Sequence, residues 1–367
     1  MKIAFFTEGG YAQVERLLPM RTDQSWVCAL KATHHPIPLI MYNDEEALDK
    51  FRAKKPTNHY DIGIVIIPKT TGGNTGAEKA SFDRDGLTKR NYPLIKTIKT
   101  MCNKVLVMQE STHWDWQEDP AEIMIWYYNQ LVEADGILCH NNIDIPYYEG
   151  ITGKPAFVLP TLMIEDSIKD LESRLKTNSK QIYQINEEET YTLYNDKFNI
   201  KQDKVFVAGN WHTTYRGFDA WVIGQEFDLP MYGFKSGKFK KNEDLNGINY
   251  LPWMDWLRFM YELSQCKYGV QCYQASAGQF PLNCAYFGIP CIGYNDINTQ
   301  KDLFPSLSVD RGDIVAARKL ANKLQSNKEF YNEVSSKSKE LYNELYKEDK
   351  FIENFGEILN KILNERN

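Results

Sequence analysis

The sequence predicts an α/β protein built of two Rossmann-like domains that face a cleft, with a C-terminal helix returning to the first domain. Three observations point there. Short apolar runs alternate with longer amphipathic stretches along the whole chain. The runs are apolar throughout, as strands of a parallel sheet covered on both faces must be. The alternation breaks once, in the polar stretch 179–203 with its Glu187-Glu188-Glu189 run, and then restarts. A chain of 367 residues suits two domains, each large enough to bury a core.

Taken in order, the first half offers strands at Ile3–Thr7, Pro38–Met41, Ile62–Pro68, Val105–Gln109, Gly136–His140 and Ala156–Leu159. Between them fall helix patterns at Thr22–Ala32, Asp44–Ala53, Tyr92–Met101, Pro120–Ala134 and Pro146–Glu149. These fill a first domain over residues 1–165. Residues 166–203 read as a linker or surface excursion. The second domain spans 204–328. Its strands are Val205–Ala208, Met231–Gly233, Ile248–Leu251, Tyr268–Cys272 and Pro290–Gly293. Its helices are Phe218–Phe227, Trp253–Gln265, Phe280–Phe287 and Ile314–Gln325. The last segment, 329–367, is a helix or helix pair. Phe351, Ile352, Phe355, Ile358, Leu359, Ile362 and Leu363 recur there at spacings of three and four. That stripe is long enough to pack back on the first domain.

Composition narrows the function classes. The chain has 43 Lys+Arg against 49 Asp+Glu, a net charge of −6, so it carries no global basic field for nucleic acid, though a local basic face is compatible with that sum. No apolar run reaches the ~20 residues of a membrane span. Met1–Phe6 turns polar too soon for a signal peptide and reads as a first strand. Seven cysteines with no C-x-x-C pair suggest buried free thiols and a cytoplasmic location. Six scattered histidines lack zinc spacing, so no metal site is predicted. The 8 Trp and 22 Tyr suit a groove for sugars or bases, but filling cores is the commoner use of such rings.

Five constellations could carry chemistry. In the first, the apolar strand Val205–Ala208 ends at Gly209-Asn210, followed by Thr213-Thr214 and Arg216-Gly217 before a helix. Glycine lets backbone approach a ligand closely, and a helix N-terminus with an Arg fork suits a diphosphate. An ordinary βα turn with an exposed Arg fits the pattern equally well. The P-loop spacing and a G-x-G-x-x-G after the first strand are both absent, which argues against an ATPase P-loop and against NAD. In the second, strand 268–272 leads through Ser276, Gly278 and Gln279 into a helix carrying Asn283 one turn in, then Gly288-Ile289-Pro290 and another strand. Its loop would offer backbone N–H groups to an anion, and Asn283 a hydrogen bond to a ribose hydroxyl. A plain βαβ unit with Gly288 as helix C-cap is the competing reading.

The third is Glu110, His113 and Asp115 with Trp114 and Trp116, directly after the apolar strand Val105–Gln109. Ligands bind at the carboxyl ends of parallel strands, and a Glu pressed by indole rings suits a general base. A surface loop with its tryptophans packed inward is the alternative. The fourth is Gly9-Gly10 after the first strand, with Arg21 and Asp23. Here a backbone approach to substrate competes with Thr22 or Asp23 as a helix N-cap, Asp23 being the more natural cap. The fifth is the loop Thr70–Gly76 with Lys79, Arg84, Lys89 and Arg90 beyond it. The densest basic run is Lys235, Lys238, Lys240 and Lys241, which reads as a solvated face or as a contact for phosphate.

Together the segments 204–218 and 271–293 resemble the nucleotide-sugar domain of GT-B glycosyltransferases. In that family a Gly-rich turn with an Arg or Lys, then a helix ending in Gly-x-Pro, holds the donor diphosphate and ribose. The layout of Gly209, Thr213-Thr214 and Arg216-Gly217-Phe218 is similar to that of phage DNA α-glucosyltransferases acting on 5-hydroxymethylcytosine. Val105–His113 resembles the strand and acidic loop facing the acceptor in such enzymes. Many members carry Glu where this chain has Asn283, and another where it has Ala275-Ser276.

The resemblance implies transfer of a sugar from a nucleotide sugar, UDP-linked first of all, to a hydroxyl on a hydroxymethylated pyrimidine in duplex DNA. The chain would then work in a host cytoplasm. Gly209, Asn210, Thr213, Thr214, Arg216, Ser276, Gly278, Gln279 and Asn283 would hold the donor. Glu110, His113 and Asp115 would serve the chemistry, and Gly9, Gly10, Arg21, Asp23 and Trp114 the acceptor side. No cofactor beyond the co-substrate is called for; Mg2+ is compatible, but no site for it is legible. A glycan or small-molecule glycosyltransferase of envelope or capsule synthesis is the alternative. A UDP-sugar epimerase or a non-catalytic nucleotide-sugar module also fits this fold.

Overall fold

The computed structural model describes residues 1–7, 16–17, 22–36, 59–67, 93–109, 121–184, 190–209, 211, 217–234, 242, 246–252, 254–272 and 277–364. The chain divides into two compact units. One comprises Met1–Val14, Trp26–Pro160 and Phe351–Asn367; the other comprises Glu15–Ser25 and Thr161–Lys350.

The first unit is a six-stranded parallel sheet. Its strands are β1 (Ile3–Thr7), β2 (Thr33–Pro36), β3 (Tyr60–Val65), β4 (Cys102–Gln109), β5 (Gly136–Cys139) and β6 (Ala156–Val158), in the order β2-β1-β3-β4-β5-β6. Every residue of β1 and β5 is buried, as the unbroken apolar runs require. The helices among them are α1 (Thr22–Ala29), α2 (Leu94–Lys99), α3 (Ala121–Glu133) and α4 (Ile145–Thr152). Leu94, Ile95, Ile98, Trp126, Tyr127 and Leu131 cover one face of the sheet. The predicted helix 44–53 and the strand 38–41 lie outside the described residues. The observed second strand falls earlier, at Thr33–Pro36. Its sequence, Thr-His-His-Pro, hides it, because an edge strand tolerates polar residues and a terminal proline. His34 meets Thr7 Oγ1 at 2.9 Å and His35 meets the Tyr60 hydroxyl at 2.9 Å, so both imidazoles are satisfied where they lie.

The second unit carries its own six-stranded parallel sheet and a hairpin. The helix α5 (Asp166–Asn178) and the antiparallel pair β7 (Lys180–Gln184) and β8 (Thr190–Tyr194) occupy much of the stretch predicted to be a linker. That prediction is corrected. Ile168, Leu171, Leu175, Leu193 and Phe198 belong to the core of the second unit. In the hairpin β7 is only partly covered, at alternate residues, and β8 buries Leu193 alone, while the helix sets its apolar stripe among charged and polar neighbours, so neither produced a run. Tyr191 donates to Glu262, and the Tyr194 N–H donates to the Tyr261 hydroxyl at 2.8 Å, docking the hairpin.

The strands β9 (Gln202–Ala208), β10 (Met231–Phe234), β11 (Ile248–Leu251), β12 (Cys266–Gln271), β13 (Cys291–Tyr294) and β14 (Ser308–Val309) follow, ordered β11-β10-β9-β12-β13-β14. Helices α6 (Gly217–Gly224), α7 (Trp256–Ser264), α8 (Gln279–Phe287), α9 (Asn298–Leu303), α10 (Ile314–Ser326) and α11 (Lys328–Leu345) accompany them. Asp255 caps α7 by accepting the Arg258 N–H at 2.9 Å, which starts that helix three residues later than the apolar pattern does.

The terminal segment is a helix pair. The second member, α12 (Glu348–Asn364), returns to the first unit from Phe351 onward. Phe351, Phe355, Ile358, Leu359 and Ile362 are buried, and the Phe351 ring lies 5.3 Å from that of Trp26. All seven cysteines are free, six of them buried. Burial pushes the Cys102 thiol up to about 12. No helix among the described residues is long and apolar enough to cross a membrane.

Candidate functional site

In an open parallel sheet, ligands collect at the carboxyl ends of strands where the order reverses. In the second unit β9 connects outward to β10 and β11 on one side, and the chain then jumps to β12 on the other. The switch point therefore lies between β9 and β12. Ala208 pairs with Gln271 in register, so Gly209 and Cys272 leave the sheet side by side. The two segments singled out from sequence, 204–218 and 271–293, are those that flank this point.

Gly209 leaves β9 with φ +87°, a left-handed conformation that glycine adopts without strain. Beyond β12 in the chain, Gly278 is the N-cap of α8 at φ +81°. A Cβ there would collide with Thr299 Oγ1, whose hydroxyl donates to the Gly278 carbonyl at 2.8 Å. Glycine is thus required twice over, by dihedral and by space. Backbone N–H groups in the first turn of α8 have no intrahelical acceptor and favour an anion.

Gln279 and Asn283, in the first turns of α8, are joined to each other. Thr161 Oγ1 donates to Gln279 Oε1 at 2.5 Å, and Gln279 Nε2 donates to Asn283 Oδ1 at 3.0 Å. Asn283 is 1% exposed. Gly288 is the left-handed C-cap of α8, as the plainer of its two readings had it. Asn210, Thr213, Thr214, Arg216 and Ser276 lie outside the described residues.

Sequence reasoning passed over a second set of groups at the same sheet end. Asp219, in the first turn of α6, accepts from the Tyr294 hydroxyl at 2.7 Å, and Tyr294 is the last residue of β13. Its phenol is held well above the usual range by burial, with Cys272 and Asp219 adding to it. Asp296, two residues on, pairs with Arg311. Asp296 lies directly behind a strand end, the signal that picked out Glu110, whereas Asp219 sits inside a helix well beyond the end of β9 and carries no such signal.

In the first unit the order reverses between β1 and β3. Glu110, His113, Trp114 and Asp115 lie outside the described residues, as do Gly9, Gly10 and Arg21. Asp23 is buried in the first turn of α1, one residue inside the helix and so not at the cap position. The described groups at this end are polar and buried: Thr7, Gln109, His140, Asn141 and Asp144. Gln109 closes β4 with its Oε1 accepting from Tyr127, while its Nε2 has no partner among the described residues. His140 follows β5, and its Nδ1 meets the Leu159 carbonyl at 3.2 Å. The run His140-Asn141-Asn142 after an apolar strand is the sequence signal for this cluster. Among the described residues no group of His, Cys, Asp and Glu is arranged to hold a metal ion.

No family model matches the sequence, and no curated protein matches it. Solved structures share its fold. An α-glucosyltransferase in complex with UDP and a 13-mer DNA containing an HMU base aligns over 99% of both chains at 12% identity, with TM-score 0.57. Anabaena HepE in complex with UDP aligns over 98% of this chain and 100% of its own at 8% identity, with TM-score 0.58. A point mutant of Staphylococcus aureus TarM, in complex with Fondaparinux, α-GlcNAc-glycerol and UDP, aligns over 87% of this chain at 11% identity, with TM-score 0.55. The chain spans 58% of the length of TarM. These likenesses show that the chain has the GT-B fold.

Proposed function

We propose that this chain is a glycosyltransferase that holds a UDP-sugar in its second unit and transfers the sugar to a hydroxymethylated pyrimidine in DNA. The observation that carries the donor half is the switch point between β9 and β12, flanked by left-handed Gly209 and Gly278 with a helix N-terminus behind the latter. That arrangement suits a diphosphate. Similar folds bind UDP in the α-glucosyltransferase, HepE and TarM structures. The acceptor half is supported by the likeness, over the whole chain, to the glucosyltransferase holding DNA with an HMU base.

Arg216 faces the leaving diphosphate in this proposal and offsets the charge that grows as the sugar–phosphate bond breaks. The acceptor oxygen bonds to the anomeric carbon as the diphosphate oxygen leaves. The acceptor's proton passes to Glu110 if the centre inverts, or to the departing phosphate oxygen if configuration is retained. The anomeric configuration of the product separates the two.

A thermal-shift panel with UDP, GDP, ADP and CMP tests the donor site, since a ligand that binds the folded state raises its melting temperature. UDP is expected to give the largest shift, and Arg216→Ala to shrink it. Glu110→Ala is expected to keep the shift and lose transfer to a duplex carrying 5-hydroxymethyl bases. No shift with any nucleotide sinks the proposal.

A further inference from the structure

Gly278 has no side chain with which to cap α8, so the N–H groups of the first turn are left for a ligand. Pro281, third in that turn, has no N–H to offer. One donor of the usual set is therefore missing where an anion sits on a helix end.

Asn283, one turn further in, carries a donor that fits the gap. Side chains on a helix lean toward its N-terminus, so residues four apart meet. Gln279 Nε2 accordingly donates to Asn283 Oδ1 at 3.0 Å, and Gln279 Oε1 accepts from Thr161 Oγ1 at 2.5 Å. Thr161 and Asn283 are each 1% exposed. This chain of bonds has a direction. The Thr161 hydroxyl fills the Gln279 oxygen, which turns the Gln279 nitrogen to Asn283 and makes the Asn283 oxygen the occupied end. The Asn283 Nδ2 is left with no partner among the described residues. A buried amide nitrogen with nothing to donate to is costly, and a ligand oxygen beside the first turn removes that cost.

We infer that Thr161 and Gln279 are positioning residues, which fix the Asn283 amide so that its Nδ2 donates to an oxygen of the nucleotide bound at the α8 N-terminus. That oxygen belongs to a phosphate or to a ribose hydroxyl, and either one accepts. The inference rests on the donor reading and deepens it.

The test is calorimetric titration of wild type, Asn283→Asp, Thr161→Val and Thr161→Ser with UDP and with inorganic pyrophosphate. Asn283→Asp keeps the oxygen that Gln279 holds and removes only the donor, so UDP should bind about tenfold more weakly. Thr161→Val frees the Gln279 amide to turn over and should cost about threefold in UDP affinity. Thr161→Ser keeps the hydroxyl and should restore it. Pyrophosphate tells the two oxygens apart: a phosphate contact weakens its binding in step with UDP, and a ribose contact leaves it unmoved. UDP affinity unchanged or raised in Asn283→Asp overturns the inference, because the amide oxygen then faces the ligand. So does a Thr161→Val protein that binds UDP like wild type, or a Thr161→Ser protein as weak as Thr161→Val. Should Asn283→Asp not fold, the Thr161 pair decides alone. A wild type that binds neither UDP nor pyrophosphate overturns the donor reading and this inference with it; wild-type binding that the variants leave unmoved overturns this inference alone.

Discussion

The two sheets are alike in size and differ in order. The first runs β2-β1-β3-β4-β5-β6 and reverses after a single outward step; the second runs β11-β10-β9-β12-β13-β14 and reverses after two. The reversal therefore opens beside β1 in one unit and beside β9 and β12 in the other. Each opening is furnished differently. The second unit meets it with tight glycines and a helix N-terminus, which suit an anion. The first carries buried side-chain groups along the carboxyl end of its sheet, Thr7 on β1 at the opening, Gln109 on β4 and His140 just after β5 beyond it, which suit hydroxyls. One architecture serves two chemistries because strand order chooses where a ligand sits, while loop residues choose what sits there.

The sharpest way to break this contrast is through two left-handed glycines. Gly278→Ala should cost about 3 kcal/mol, measured by urea unfolding, because the new methyl meets Thr299 at a backbone dihedral alanine resists. It should also abolish the UDP shift. Gly153, the left-handed C-cap of α4 in the first unit, has nothing within 4 Å of its would-be Cβ. Gly153→Ala should cost only about 1 kcal/mol, the dihedral penalty alone. Equal costs would mean that the crowding at Gly278 is not what makes glycine necessary there.

Next in size is a pH response confined to the second unit. Lys201 is half-buried, and its ammonium donates to the Ser264 carbonyl at 2.8 Å; loss of water around it foremost, with Lys339 nearby, brings it down to about 7. The unfolded chain holds that proton up to its ordinary 10.5. Between these values the unfolded state binds more protons, so stability rises with pH. Relative to Lys201→Met, wild type should gain about 2 kcal/mol between about pH 7 and 9. A flat difference would place the Lys201 amine in water.

The smallest effect sharpens the first unit. Burial pushes the Asp135 carboxyl up, but the Val105 N–H at 2.8 Å and the Lys99 and Lys104 ammoniums outweigh it, and the net shift is downward. A lowered carboxyl stabilises above its unfolded pKa and loses that contribution as pH falls through the folded one. Asp135→Asn should cost about 1 kcal/mol at pH 7, less than a fully buried pair, and the gap should close below about pH 4.

Much of this was legible because it is local. Runs such as Ile3–Thr7 and Val205–Ala208 announce buried strands by composition, and the stripe from Phe351 to Ile362 announces a helix by period. Gly209 and Gly278 were legible too, since glycine after a strand and before a helix marks a turn few other residues can make. The edge strand Thr33–Pro36 and the hairpin at 180–194 were not. Their polar outer faces are tolerated only because of what lies, or does not lie, beside them.

The site divides the same way. That Asn283 spends its carbonyl on Gln279, that Asp219 reaches Tyr294 seventy-five residues away, and that Gln109 ends with a buried amide unmatched among the described residues are properties of neighbours brought together by the fold. The amino-acid order by itself determined periodicity, turn chemistry and therefore the α/β class, because those depend on residues a few positions apart. Strand order, and with it the place where each sheet opens, was decided only by tertiary structure, because pairing between distant strands is set by how whole layers pack.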